Sequence, residues 1–453
     1  MKSSNPFALP IDPNQPQPLL KSWLLLSVFS LIAAGLFSLL LVLSRTPGIQ
    51  SFIPWVDFFH TALVVHVDLS VLIWFLSMSA LLWSIQIQNA PKFILLAPAL
   101  VAAGTLVMVI SPFAGAGDPL MNNYVPVLQH PLFFFGLNTV AAGIALQLFY
   151  NLLTSKSSGR TGLLPTILQA SVITTFIALL ALGWNWKYID PSLSGTAYYE
   201  VLFWAPGHIL QFSHSLLMLL VWVILIYALG GQLPTTPQRT SVYLLAVVLP
   251  VLTVPWLYYS FPMESVESRL AFTDLMKFGG LVCLPIGLLC TWKILTIGKV
   301  DESLRPIKAA LFCSLVLFAT GGIIGFLIEG VNVVIPAHYH GSIVGVTLAF
   351  MGLIYLVLPK LGYGKVDAKW GRIQPYVYGG GQLMHILGLA WSGGYGVQRK
   401  TAGEAQVLER LPEILGMGMM GLGGLISIIG GVIFLVVALK SIFGEPEKTE
   451  TAA

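Results

Sequence analysis

Histidine is the residue type in this sequence best suited to chemistry, because its imidazole binds metals and changes charge near neutral pH. The eight histidines of the 453-residue chain are His60, His66, His130, His208, His214, His338, His340 and His385. All lie in or beside long apolar segments, where an ionisable side chain is costly and usually functional. We therefore predict a layer of histidine ligands. The alternative for any single one is a core histidine satisfied by hydrogen bonds.

The sharpest local pattern is His338-Tyr339-His340. Residues two apart on a helix point about 200° away from each other, so these imidazoles face opposite sides of one helix. That arrangement is poorly suited to chelating one metal and well suited to binding two planar cofactors. Haem iron accepts an axial imidazole, and a bis-histidine haem needs a second one from another helix. His66, in the stretch VVHVDLSVLIWF, is the natural partner.

The elements that must position these histidines are apolar helices. Hydrophobic residues make up 56% of the chain and charged residues 9%, which is too few charges for the surface of a soluble protein. Apolar runs of about 20 residues, each long enough to cross a bilayer core, recur along the whole length. We predict an all-α integral membrane protein with about twelve transmembrane helices. The predicted segments are 20–44, 56–86, 92–111, 125–153, 163–186, 197–228, 240–259, 271–297, 306–329, 334–358, 374–396 and 411–443.

The distribution of charge gives an orientation. Most Lys and Arg residues lie at the connections on the side of both termini, so the positive-inside rule predicts that both termini are cytoplasmic. We expect one membrane domain over residues 19–443, with a disordered tail at 1–18 and another tail at 444–453, in a bacterial or archaeal plasma (inner) membrane. Its surroundings are lipid, and no nucleic-acid partner is expected. In this orientation every histidine except His385 lies in or at the outer half of the membrane.

Cysteine contributes no further site to this picture. The three cysteines lie in apolar runs without a CxxC pattern, which argues against a disulfide framework or a thiolate metal site.

Several stretches resemble subunit I of the haem-copper oxidases, and they occur in that family's order. The stretches are NNYVPVLQHPLFFFGLN (entry to helix four), VLFWAPGHILQF (helix six), FATGGIIGFLIEG (helix nine), PAHYHGSIVGVTLAFMGLIYLVLPKL (helix ten) and GGYGVQRKTAGEAQ (the loop before helix twelve). The resemblance covers nearly the whole chain and implies a twelve-helix, subunit I-like bundle. It is closer to the B-type, cbb3-type and nitric oxide reductase branches than to the mitochondrial type.

The resemblance implies two haems and names their ligands. His66 and His340 would hold a low-spin haem, and His338 would be the proximal ligand of a high-spin haem. Arg399 and Lys400 match the basic pair that meets the haem propionates, with an ordinary solvated charge pair as the alternative. His130 matches a His-Pro turn of the family and would be structural.

The sequence departs from the family at the second metal. In the family, three histidines hold a metal that faces the high-spin haem. One is on helix six, which His208 matches, and the other two are an adjacent pair after helix seven. Here that region reads YYSFPMESVESRLAFTDLMKF, and no adjacent His-His pair occurs anywhere in the chain. Glu264 and Glu267 stand in this region and with His208 would offer a mixed nitrogen and oxygen site, which suits iron better than copper(I). The alternative is that both carboxylates are solvated in an outer loop.

The redox-active tyrosine of helix six is also absent, because Phe212 stands four residues after His208. Some family members supply this tyrosine from helix seven, and Tyr258 and Tyr259 lie at the outer end of that helix. Aromatic residues of the membrane interface are the alternative reading of both.

These observations predict a respiratory oxidoreductase in which electrons pass from the low-spin to the high-spin haem and reduce O2 or NO. The sequence leaves copper or non-haem iron at the second site without the histidine pair that would hold it. The chain has no CxxCH motif, so the electron donor would be a cupredoxin or cytochrome c subunit, or a quinol. A second hypothesis is a non-catalytic dihaem protein of the same fold that serves electron transfer, gas sensing or complex assembly. A transporter whose histidines carry protons is a third.

Overall fold

The computed structural model describes residues 6–11, 15–45, 58–88, 90–115, 117–154, 162–399 and 408–445. Twelve long helices lie within these ranges, and eleven of them are long and apolar enough to cross a membrane. The helices are α1 Gln17–Arg45, α2 Phe59–Ser84, α3 Lys92–Phe113, α4 Pro131–Thr154, α5 Leu163–Tyr188, α6 Gly195–Ala228, α7 Pro237–Ser260, α8 Val266–Thr296, α9 Glu302–Phe326, α10 Val334–Lys360, α11 Ala368–Gly393 and α12 Leu411–Ile442. The remaining helix, α11, is 26 residues long but is richer in polar residues and glycine, taken together, than the other eleven.

The positions of the twelve predicted segments are confirmed, with two boundaries that differ by six residues. The helix predicted from residue 374, α11, begins earlier, at Ala368. The fourth segment was predicted from residue 125, but α4 begins at Pro131. The preceding residues form a short antiparallel hairpin of β1, Pro119–Leu120, and β2, Val127–Leu128. Proline fits the first turn of a helix and disfavours helical geometry in the residue before it, so Pro131 favours a helix start at this position.

A local irregularity interrupts α2. Residues Asp68–Ile73 form a π-helical stretch between two α-helical parts. A π-turn accommodates an extra residue and changes the direction in which the following side chains point, and such turns are frequent at functional sites. Asp68 itself is fully buried.

The chain forms two compact units. The first contains residues 1–220 and 235–286, and the second contains residues 221–234 and 287–453. In the first unit α1 packs against α2, and α3 packs against α4. Phe7 and Leu9, within the region predicted as a tail, are buried there, and the side chain of Gln15 donates a hydrogen bond to the carbonyl of Ile85.

Glycine permits very close helix packing in the second unit, where α11 and α12 pack together along their lengths. A Cβ atom added to Gly423 would stand 2.4 Å from the backbone nitrogen of His385, and one added to Gly388 would stand 2.5 Å from the carbonyl oxygen of Gly416. Small residues at such contacts let helix backbones approach directly, as is typical in membranes.

Candidate functional site

His338 is held in the second unit by glycines of α9. Its Nδ1 lies 2.7 Å from the carbonyl oxygen of Gly321. A Cβ atom on Gly325 would stand 2.6 Å from the same nitrogen, so the ring fills space that only glycine leaves open. Because a carbonyl only accepts, Nδ1 carries the hydrogen and Nε2 keeps the lone pair that binds a metal.

His340 is fixed in the same way on the other side of α10. Its Nδ1 lies 2.8 Å from the carbonyl oxygen of Pro336. The ring of His340 lies against that of His385 on α11, with centroids 5.1 Å apart and planes inclined by 52°. The Nδ1 of His385 lies 2.9 Å from the carbonyl oxygen of Met420 on α12. Two imidazoles of the same tautomer therefore meet on this side of α10.

The position of His385 corrects the sequence interpretation, which set it apart from the other histidines by depth. Within the second unit it reaches the same level as His340. The predicted segment 374–396 placed His385 at its middle, whereas α11 is Ala368–Gly393 and His385 lies eight residues before its end. The signal available in the sequence was its isolation, as the one histidine among the residues of α11.

His66 has the corresponding anchor in the first unit. Its Nδ1 lies 2.9 Å from the carbonyl oxygen of Ala34 on α1, so its Nε2 likewise keeps the lone pair. The π-helical stretch begins two residues later. Neither carboxyl oxygen of the buried Asp68 has a hydrogen-bond partner among the described residues. The sequence analysis did not single out this acid, although it stands within a long apolar run.

His208, the candidate ligand of a second metal, is enclosed by aromatic rings. Its Nδ1 lies 2.8 Å from the carbonyl oxygen of Trp204, and the imidazole is 5% exposed. Ring centroids of Trp204, Tyr124 and Phe272 lie 4.7, 5.0 and 6.3 Å from that of His208. A Cβ atom on Gly207 would stand 2.2 Å from the ring of Tyr124, so glycine is required for this ring to lie over the helix.

The loop before α4 positions Tyr124. The Oδ1 atom of Asn122 accepts hydrogen bonds from the backbone N–H groups of Tyr124 and Val125, each at 2.9 Å. Burial raises the pKa of the Tyr124 phenol well above its usual value, and the Glu200 carboxylate raises it further, so the phenol is neutral. The sequence analysis quoted this loop and did not assign its tyrosine to the site.

The carboxylates proposed as partners of His208 lie on the surface. Both Glu264 and Glu267 are exposed, and Glu264 accepts a hydrogen bond of 3.1 Å from the backbone N–H of Asp190. In the described part of the chain no three His, Cys, Asp or Glu side chains form a group that could hold a metal ion. The structure therefore does not assemble these glutamates with His208 into a ligand set.

The two tyrosines of α7 differ in their surroundings. Tyr258 is half-buried, donates a 2.7 Å hydrogen bond to Oδ1 of Asn185, and packs on Phe272 at 5.7 Å between ring centroids. Through Phe272 it joins the aromatic cluster around His208. Tyr259 is 91% exposed, which agrees with the interfacial alternative.

The remaining histidines have other surroundings. The Nδ1 of His130 accepts a 3.2 Å hydrogen bond from the backbone N–H of Leu132 at the start of α4, in agreement with the structural role expected for it. His60 is exposed beside Phe59. His214 is buried, its Nε2 has no hydrogen-bond partner among the described residues, and its ring meets the edge of Phe75 at 5.1 Å.

The predicted propionate-binding pair is described in part. Lys400 lies outside the described residues, and Arg399 is half-buried at their edge. Two residues earlier, the carbonyl of Val397 accepts a 3.0 Å hydrogen bond from the backbone N–H of Val333, the residue that precedes α10. This bond brings the segment that leads to Arg399 beside the end of α10 that carries His338 and His340.

Comparison with known proteins gives consistent results. A family model described as cytochrome c and quinol oxidase polypeptide I matches residues 19–433. An uncharacterized protein of Rickettsia prowazekii is 30% identical over 495 aligned residues, which cover 94% of this chain and 96% of that protein. An uncharacterized protein of Aquifex aeolicus is 27% identical over 78% of this chain and 88% of its own length. The cryo-EM structure of a haem-copper terminal oxidase dimer superposes with a TM-score of 0.78 at 16% identity, covering 95% of this chain and 85% of that one.

Proposed function

The chain belongs to the cytochrome c and quinol oxidase polypeptide I family, and from this premise we propose that it binds two haems and passes electrons between them. It is a multi-pass membrane protein and a divergent homologue of subunit I that lacks an adjacent His-His pair. The observation that carries the proposal is the orientation of the two histidine side chains of α10. Two imidazoles on opposite sides of this helix each have Nδ1 bonded to a carbonyl and Nε2 as the metal-binding nitrogen.

The donor set suits haem, because the four anchored imidazoles of His66, His338, His340 and His385 have the tautomer that coordinates iron through Nε2. We assign His66 and His340 to the low-spin haem and His338 to the high-spin haem. Arg399 and Lys400 would neutralise the propionates. When bound, haem supplies one-electron transfer and, where one axial position stays open, a place for a small gas ligand.

The residues near His208 do not suit a second metal. Copper or iron at this place needs several nitrogen, oxygen or sulfur donors, and three aromatic rings surround this imidazole instead. We therefore derive no step through a second metal. Complete reduction of O2 takes four electrons, and two haems supply two, so O2 reduction is expected to be slow. Reduction of NO, which takes one electron per molecule, is relatively favoured.

A second candidate function follows from the same enclosure of His208. A protein that no longer reduces O2 or NO would have no need of the second metal and would serve electron transfer, gas sensing or assembly of a larger complex. Fast turnover with NO or O2 separates the two functions. A cytochrome c, a cupredoxin or a quinol would donate electrons in either case. We propose a plasma-membrane location with both termini cytoplasmic, which the Lys and Arg distribution supports.

Absorption spectra of histidine variants test the ligand assignment. Replacement of His66 or His340 by alanine is expected to abolish the low-spin haem spectrum, and His338→Ala is expected to remove the high-spin one only. His60→Ala is the matched control, since His60 lies six residues before His66 on α2 and is exposed. Survival of both spectra in His338→Ala would overturn the assignment.

A further inference from the structure

A groove of about 350 Å³ runs along the surface of the first unit between α1 and α3. Its walls include Ser22, Leu25 and Phe29 of α1 and Pro98, Ala99 and Ala102 of α3. Leu25 is 42% exposed and Phe29 is 39% exposed, so the groove opens to the surroundings of the protein. Both helices cross the membrane, so the groove opens at the level of the bilayer.

Unequal side chains on the two helices produce the groove. Pro98 and Ala102 are four residues apart and lie on one face of α3, with Ala99 beside them. Their small side chains leave space opposite the large side chains of Leu25 and Phe29 on α1. From Ser22 to Phe29 the helix rises about 10 Å, roughly a third of a bilayer core, so the groove has the depth of part of one acyl chain.

Positive charge lies at one end of the groove. Lys21 immediately precedes Ser22, and Lys92 is the first residue of α3, three residues before Leu95 in the groove wall. Two membrane crossings separate the start of α1 from the start of α3, so both lysines lie on the same side of the membrane. Neither α1 nor α3 contains an acidic residue.

The same end of the groove has the features of a membrane interface. The rings of Phe93 and Tyr150 pair at 5.8 Å between centroids beside Lys92, and such aromatic residues concentrate at the level of lipid headgroups. The residue after Lys21 is Ser22, whose hydroxyl is a polar group in the groove wall. Two cations and a hydroxyl therefore lie at headgroup depth, at one end of the apolar groove.

We propose that this groove binds one phospholipid with an anionic headgroup. The phosphate lies between Lys21 and Lys92, the hydroxyl of Ser22 meets the headgroup or its ester region, and one acyl chain lies between Phe29 and Ala102. A headgroup with its own cation is disfavoured beside two lysines. Each lysine near the membrane surface gives roughly a fivefold preference for an anionic lipid, so the pair gives about 25-fold. This site does not depend on the proposed haem function.

Native mass spectrometry of the full-length protein tests the proposal. The protein is taken from vesicles of phosphatidylglycerol and phosphatidylcholine in equal amounts, with identical acyl chains, and the retained lipid is identified. The unsubstituted protein is expected to retain one phosphatidylglycerol, and the double variant Lys21→Gln with Lys92→Gln to lose most of the 25-fold preference. Lys440→Gln, at the end of α12, is the control for charge and should keep the preference.

Filling the groove gives an independent test. Ala102→Leu places a larger side chain in the groove and is expected to abolish retention of either lipid, whereas Ala103→Leu, on the neighbouring exposed position of α3, should leave it unchanged. Equal retention of both lipids by the unsubstituted protein would overturn the proposal. So would an unaltered preference in the double lysine variant, undiminished retention in Ala102→Leu, or recovery of a quinone or a protein in place of the phospholipid.

Discussion

Gly325 on α9 lies directly against His338, and replacing it with alanine tests whether the ring position matters for haem. The new Cβ would stand 2.6 Å from Nδ1 and 2.8 Å from Cε1 of the imidazole. Ordinary contact begins at 3.4 Å, so the ring must move by about 0.8 Å. Metal sites hold their ligand distances to about 0.2 Å, which makes this displacement roughly four times too large.

The effect on the haem should exceed the effect on the fold. Overpacking costs about 1–3 kcal/mol, and alanine is more favourable than glycine inside a helix by up to about 1 kcal/mol, so the net loss of stability is small. Changes to groups that orient a metal ligand typically lower metal affinity about 10- to 100-fold. We expect Gly325→Ala to bind the high-spin haem about 10- to 100-fold more weakly while it retains the low-spin spectrum.

The assay is the carbon monoxide difference spectrum of the reduced protein, together with haem per chain and thermal unfolding in detergent. Gly322→Ala is the control, because a Cβ at Gly322 on the same helix meets nothing within 4 Å. That variant should keep both haems. A Gly325→Ala protein with the carbon monoxide spectrum and haem content of the Gly322→Ala protein would refute the reasoning about His338.

Three further changes have definite expected outcomes. Gly207→Ala places a Cβ 2.2 Å from the Tyr124 ring, whereas a Cβ at Gly183, also inside a helix, meets nothing within 4 Å; the free energy of unfolding of Gly207→Ala should therefore be lower than that of Gly183→Ala by about 1–3 kcal/mol, and equal denaturation midpoints of the two variants would contradict this. His385→Phe removes the imidazole beside His340 and should shift the low-spin haem potential while His60→Phe leaves it unchanged; an unaltered potential would remove His385 from the site. Tyr258→Phe removes the hydrogen bond to Asn185 and should cost about 0.5–1.5 kcal/mol, measured by denaturation, without lowering the rate of NO or O2 turnover; a loss of turnover would indicate a redox role for this tyrosine.

The positions of the helices could be predicted because the length of an apolar run determines whether it crosses a bilayer. Residues 411–443 were predicted, and Leu411–Ile442 is the helix observed. The ends of the helices depend on turn chemistry, and the start of α4 at Pro131 shows this. The π-helical stretch at Asp68 has no sequence pattern of its own, since packing against neighbouring helices decides it.

The candidate ligands could be named from sequence, but their anchors could not. The opposed directions of His338 and His340 follow from helix geometry alone. The carbonyl groups of Gly321 and Ala34 that orient His338 and His66 belong to other helices, and contacts between helices cannot be read from a single sequence. The same limit applies to the contact between Tyr124 and His208.

The surroundings of His208 could not be predicted either. Sequence spacing left two possibilities for Glu264: a metal ligand or a solvated carboxylate. Its hydrogen bond to the backbone of Asp190 favours the second. The aromatic enclosure of His208 draws on Tyr124, Trp204 and Phe272, which lie on three different segments of the chain. Only the folded structure brings them together.

The central claim is that the protein holds two haems and no second metal. Iron and copper analysis of the purified protein, paired with haem content from reduced pyridine spectra, tests it most directly. We predict two irons per chain, both accounted for by haem, and no copper. A stoichiometric copper, a third iron outside haem, or fewer than two haems per chain would contradict the account.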